Sequence, residues 1–141
     1  MCVLRAAGTE FEPDAFLEGS SLEPTKVYRK GEARLPRSNP DGPIYDTSGL
    51  TVAISDAAWS DLPGQVADAE RFLKAHRAEI ERLAHATGLT DLVLDFPIEL
   101  RIDGSSVFAQ FDRFPTPLVR LAGQLGLALE LSIYPSSDGA G

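Results

Sequence analysis

"LVLDFPIELRID", residues 92–103, alternates without interruption. Leu92, Leu94, Phe96, Ile98, Leu100 and Ile102 face one way, and Asp95, Pro97, Glu99, Arg101 and Asp103 face the other. A period of two over this length marks a β-strand with one face on the core and one in water. Such patterning belongs to antiparallel sheets more than to parallel ones covered on both sides. Pro97 has no N–H to give a ladder, so the strand is expected to lie at an edge or carry a bulge there.

The flanking segments supply the other layers. Upstream, Val66, Ala69, Leu73, His76, Ile80 and Leu83 step by three and four, with Phe72 and Ala84 widening the stripe. That spacing predicts one long amphipathic helix, opened by Ser60 or Asp61 with Pro63 in its first turn, and closed by Gly88. On its wet side Glu70 and Lys74 stand four apart, an ion-pair spacing. Downstream, "DGSS" is read as a turn into a strand "VFAQFD", followed by a short helix near 115–124 and a closing strand "LALELSIY". At the N-terminus, residues 2–8 form a strand with Cys2, Leu4 and Ala6 on one face. A brief helix follows, with Pro13 in its first turn, Phe16 and Leu17 inward and Gly19 ending it. "GLTVAISD", residues 49–56, is another half-buried strand. The predicted class is α+β, an antiparallel or mixed sheet with one long helix and one or two short helices packed on one face. Residues 1–135 are expected to form a single domain and 136–141 a flexible tail.

Composition narrows the class of molecule. With 141 residues, 43% hydrophobic and 24% charged, the chain is long enough for a substantial core. No apolar run approaches the ~18 residues of a membrane span, so no membrane partner is expected. The start, MCVLRAAGTEFEPD, lacks the basic and apolar regions of a secretory signal, and a cytoplasmic, reduced location is expected. A single cysteine excludes an internal disulfide and any cysteine-based metal cluster. His76 and His85, nine residues apart, fall on opposite sides of a helix and cannot share a metal. No metal and no cofactor are expected. His76 is read as a core-boundary residue with one hydrogen bond, and His85 as solvated near a helix end.

The net charge is −8, yet residues 26–37 hold five basic residues and one acid, a local balance of +4. The rest of the chain holds eight basic residues and twenty acids, a balance of −12. An acidic body repels phosphate backbones, and one basic loop does not make a nucleic-acid face. Nucleic acid is therefore not an expected partner. "NPDGP", residues 39–43, suits a tight reversal at Pro40, Asp41 and Gly42.

"FEPDAFLEGSSLEPTKVYRKGE", residues 11–32, and the ending "LAGQLGLALELSIY", residues 121–134, resemble a family of small bacterial proteins of unknown function. That family runs from a short helix through a leucine-x-proline-threonine turn to a lysine-glycine loop, then a long central helix and a terminal strand ending in tyrosine. Its members place a tryptophan in the strand after the basic loop, where this chain has Tyr45 and, further on, Trp59. The resemblance implies an α+β fold and brings no activity.

No phosphate loop, dinucleotide turn or serine elbow is present. Cys2 would be the first residue if Met1 were removed, an arrangement some hydrolases use, but it reads as the first core-facing residue of a strand. Asp95 and Glu99 would lie about 13 Å apart along a strand, too far for a retaining carboxylate pair. No catalytic residue is assigned, and a non-catalytic protein is the preferred reading. Candidate binding residues fall in two groups. Arg29, Lys30, Arg34, Arg37 and Tyr45 belong to the basic segment. Arg5, Glu99, Arg101 and Glu130 can share the polar face of the sheet. The leading reading is an immunity-type or regulatory protein whose acidic surface meets a basic protein. The alternative is a small-anion-binding protein or enzyme with its site under the 31–48 loop. Oligomeric state is left open.

Overall fold

The computed structural model describes residues 1–136. In chain order it contains β1 (Val3–Gly8), α1 (Pro13–Leu17), β2 (Lys26–Tyr28), β3 (Ala33–Leu35), β4 (Asn39–Ile44) and β5 (Ser48–Ala53). Then follow α2 (Leu62–Ala75), α3 (Arg77–Ala84), β6 (Asp91–Glu99), α4 (Thr116–Leu125) and β7 (Ala128–Tyr134). The main sheet has the order β2-β5-β1-β6-β7, with β3 and β4 forming a separate two-stranded sheet. All pairings in the main sheet are antiparallel except β6 with β7, which is parallel. The fold is thus α+β with a mixed sheet. Of the expected tail, residues 137–141 lie outside the described residues.

One face of the sheet carries the core. Leu4, Leu50, Leu94, Phe96 and Ile98 are fully or almost fully buried against Leu73, Ile80, Leu83 and Leu118 of the helices. Fully burying such side chains contributes roughly 1.5–3 kcal/mol each. Leu73 and Ile80 do not lie on one continuous helix. The chain leaves helical geometry at His76 (φ −113, ψ 25), which ends α2 and precedes α3. The His76 ring lies against Phe72 at 4.4 Å between centroids, a packing contact in place of the expected hydrogen bond. Asp61 caps α2 by accepting from Gly64 N–H at 2.9 Å. The wet side carries Arg71–Asp68 and Arg77–Glu81 pairs instead of the expected Glu70–Lys74 pair.

β6 departs from the water-on-one-face expectation. Val93, Asp95 and Pro97 are buried along with Leu92, Leu94, Phe96 and Ile98. As an inner strand between β1 and β7, it has its short side chains covered by longer neighbours even where no helix lies. Pro97 falls beyond the end of β1, whose pairing stops at Val3 opposite Asp95. There the Gln65 amide donates to the Pro97 carbonyl at 2.9 Å, and Glu99 N–H donates to the Trp59 carbonyl at 3.3 Å. The local edge expected at the proline is present, and a side chain closes it.

The strand ends at Glu99, so Leu100 and Ile102 are exposed and not in the core. The expected strand at 107–112 is absent: those residues join no ladder, and side chains hold the segment, with Arg101 on Asp112 and Gln110 on the Glu99 carbonyl. Asp103 accepts from the N–H groups of Ser105, Ser106 and Val107, which forms the turn expected at "DGSS". In residues 31–48 the expected irregular loop is the β3–β4 hairpin. Its reversal lies at Pro36–Ser38, not at Pro40–Gly42, which sit in β4 where the register shifts between Ala33↔Ile44 and Leu35↔Asn39. A bulge absorbs the turn-forming residues there.

Two glycines let β6 enter beside β1. A Cβ on Gly8 would lie 2.0 Å from the Gly88 carbonyl oxygen, and one on Gly88 (φ +80) would lie 2.3 Å from the Glu10 carbonyl. Backbone thus rests on backbone, and Thr90 N–H donates to the Ala7 carbonyl at 3.0 Å just before β6 begins.

The burial pattern orders three substitutions. Leu73→Ala and Ile80→Ala should each lower stability by ~2–5 kcal/mol through lost transfer energy and a cavity. His76→Leu, at a half-buried position, should cost less than either. Denaturant midpoints of the three variants check the ranking, and a His76 variant as unstable as the others would contradict it.

Candidate functional site

The helices cover one face of the main sheet and leave the other open. Strand alternation and register place Lys26 and Tyr28 of β2, Thr51 of β5 and Arg5 of β1 on that open face. Asp95 of β6 and Glu130 of β7 join them. At its centre the Arg5 guanidinium donates to Asp95 Oδ2 at 3.0 Å and to Glu130 Oε1 at 2.7 Å. The Ser132 hydroxyl donates to the other Asp95 oxygen at 2.7 Å. Asp95 is 6% exposed, so these bonds satisfy a carboxylate removed from water. The guanidinium is held above its ordinary range. Burial works against that, and hydrogen bonding and attraction to Glu130, then to Asp95, outweigh it.

Aromatic pairs stand at both ends of this face. Tyr28 and Tyr45 stack at 4.4 Å, with the Lys26 ammonium 5.8 and 5.4 Å from the two ring centroids. The Arg34 guanidinium lies 5.4 Å from the Tyr45 ring. Gly49 makes room for this stack, since a Cβ there would meet the Tyr28 hydroxyl at 2.4 Å and the Ala6 carbonyl at 2.5 Å. At the opposite end Trp59 and Tyr134 stack at 4.7 Å, each 42% exposed.

The structure therefore gathers Arg5 and Glu130 with Asp95, and Arg34 with Tyr45. It does not bring the rest into contact, although register keeps Glu99 on the same open face, opposite Tyr134. Arg29 binds Asp14 through two nitrogens, both at 2.6 Å, and reaches Glu32 at 3.4 Å. Its charge ties the hairpin base to α1, and it holds the Asp14 carboxyl below its ordinary range. Lys30 and Arg37 are exposed and enter no ion pair among the described residues. Arg101 pairs with Asp112 at 2.9 Å within the 100–115 segment, and the Glu99 carbonyl accepts from Gln110. Sequence reasoning missed Lys26, Tyr28, Trp59 and Tyr134. The alternation K-V-Y in β2 and the four-residue step from Glu130 to Tyr134 were available signals, whereas nothing local marks Trp59.

Two other features bear on chemistry. Cys2 is fully buried, and burial pushes its thiol up to about 12, which suits a core residue and not a nucleophile. Among the described residues, no group of three or more His, Cys, Asp or Glu is placed to hold a metal ion. No helix among them is long and apolar enough to cross a membrane. An open groove of about 790 Å³ between α1 and α3 has Glu10, Glu12, Glu81 and His85 around Phe16. Comparison with protein-family models, with curated proteins and with solved structures finds no match.

Two outcomes follow from this geometry. Replacing Arg5 with Ala leaves Asp95 buried with Ser132 alone. The expected loss is ~1–3 kcal/mol, below the ~3–5 of a fully buried pair because the Arg5 side chain is 39% exposed. A melt of Arg5→Ala beside Glu130→Ala, whose carboxylate lies in water, checks it, the latter falling little. For Cys2, a thiol reagent should label the native protein far more slowly than the unfolded chain. The folded thiol keeps its proton above the ordinary value of 9.0, so Cys2 should stabilise the fold below that pH and progressively less as pH rises toward 12. Denaturation curves of wild type and Cys2→Ala across that range read the difference.

Proposed function

We propose that this is a non-catalytic binding protein, of the immunity or regulatory kind, whose open sheet face docks a basic protein. One observation carries the reading. A sheet face left bare by the helices presents Trp59, Tyr134, Tyr28 and Tyr45 around a central arginine, the residue types that dominate binding energy at protein interfaces. The net charge of −8 favours a basic partner by speeding encounter. Buried Cys2 and the pairing of Arg5 and Arg29 with carboxylates support binding over catalysis. The resemblance to a bacterial family without assigned activity is consistent with this reading, as is a cytoplasmic location.

A second reading has its own support. Lys26 and Arg34 flank the Tyr28–Tyr45 stack and bind no carboxylate among the described residues, a setting for a small anion at the hairpin base.

Affinity capture from the native host separates the two. Trp59→Ala combined with Tyr45→Ala should lose the captured partner while the far-ultraviolet spectrum stays unchanged. Changing Lys30, Arg34 and Arg37 together to Gln should leave the melting temperature almost unchanged, since exposed pairs and cation–π contacts contribute only ~0–1 kcal/mol each. A folded aromatic variant that retains every partner sinks the sheet-face reading. Calorimetric titration with phosphate and citrate, abolished by Lys26→Gln with Arg34→Gln, would establish the anion reading in its place.

A further inference from the structure

The two edges of the main sheet are finished differently. At one edge β2 is only three residues long and begins with Lys26, and the separate hairpin carries Pro36, Pro40 and Pro43. Short strands, lysine and proline are the usual means of keeping a sheet edge from pairing with another chain. β7, at the other edge, has none of these. It runs for seven residues as ALELSIY, with no lysine, arginine or proline, and no strand lies beyond it among the described residues. Its one charge, Glu130, is held by Arg5.

The backbone of β7 is oriented for pairing. The Tyr134 carbonyl faces β6, where it accepts from Leu100 N–H at 2.8 Å. By alternation Ala128, Glu130 and Ser132 also turn their peptide groups inward, and Leu129, Leu131 and Ile133 turn theirs outward. We propose that β7 pairs antiparallel with β7 of a second copy of this chain, centred on Leu131, to give a two-fold symmetric dimer with one continuous sheet.

The pattern of side chains selects both the occupant and the register. Only registers that set Leu129, Leu131 and Ile133 opposite one another let the outward N–H and C=O groups bond across the edge. Among these, centring on Leu131 pairs all seven residues, Ala128 with the partner's Tyr134 included. It sets Leu129 against the partner's Ile133, extending the core row across the junction. On the open face it sets Glu130 against the partner's Ser132, whereas centring on Glu130 would place like charges directly opposite. A strand that complements its own reverse in apolar row, charge and length is what an isologous contact requires. Ile133, half exposed at 53%, is covered by the pairing.

The test uses the full chain. Light scattering behind size exclusion should give twice the 15.2 kDa chain mass, and Ile133→Lys should return it to one chain mass with an unchanged far-ultraviolet spectrum and a melting temperature that no longer rises with protein concentration. Leu131→Cys should join two chains by a disulfide on mild oxidation, because residue 131 meets its own copy in this register alone. Buried Cys2 will not compete. A wild-type chain that stays monomeric at several hundred micromolar overturns the proposal. So does a dimer that survives Ile133→Lys and shows no cross-link in its Leu131→Cys form. Should the Leu131 variant misfold, the mass of Ile133→Lys decides alone.

Discussion

A carboxylate in the middle of a buried strand constrains everything around it. Asp95 sits on the helix-free face of β6 but is closed off from water by its longer neighbours, and an ionised carboxylate there is tolerated only with donors on its oxygens. The donors come from both neighbouring strands, Arg5 on β1 and Ser132 on β7. Sliding either strand by one residue would send its donor to the opposite face and leave the charge bare. The polar network therefore reinforces the strand order and register that the apolar face also demands.

The apolar layer depends on a different kind of fit. β6 follows α3 with only a short turn between them, so the chain must pass close to the end of β1 before pairing with it. Gly8 and Gly88 permit that passage because neither carries a Cβ that would strike the opposing carbonyl. The strand then delivers Leu94, Phe96 and Ile98 to the helices. Beyond β1, Gln65 takes over the exposed backbone at Pro97, which is how a proline sits in an inner strand without an orphaned edge.

Covering only one face with helices has a consequence for the other. The bare face must be made of side chains that tolerate water, and here these are an ion network flanked by aromatic stacks. Residues of this kind, at protein interfaces, offer much contact area at little entropic cost. The edge at β7 is a separate surface, defined by backbone groups and not by the aromatic pairs. Pairing there would join two bare faces side by side without covering either.

Much of the class of this protein was legible from residue order alone. Alternation in 92–99, the stepping of Val66, Ala69 and Leu73, and the inward Cys2, Leu4 and Ala6 are local patterns, and local periodicity determines which face of an element is apolar. Composition likewise determined the acidic charge and the lack of any disulfide. What the sequence could not determine depended on partners distant in the chain. Whether 107–112 became a strand depended on where packing carried that segment relative to the sheet edges, and whether Asp95 faced water depended on what flanked β6. Pro40, Asp41 and Gly42 suit a turn in isolation, yet the hairpin reversed earlier, at Pro36–Ser38, and bent them into a bulge. The candidate site shows the same division. Arg5 and Glu130 were visible as outward-facing residues, but their meeting over Asp95 spans 125 positions of chain, a distance that only the sheet order closes.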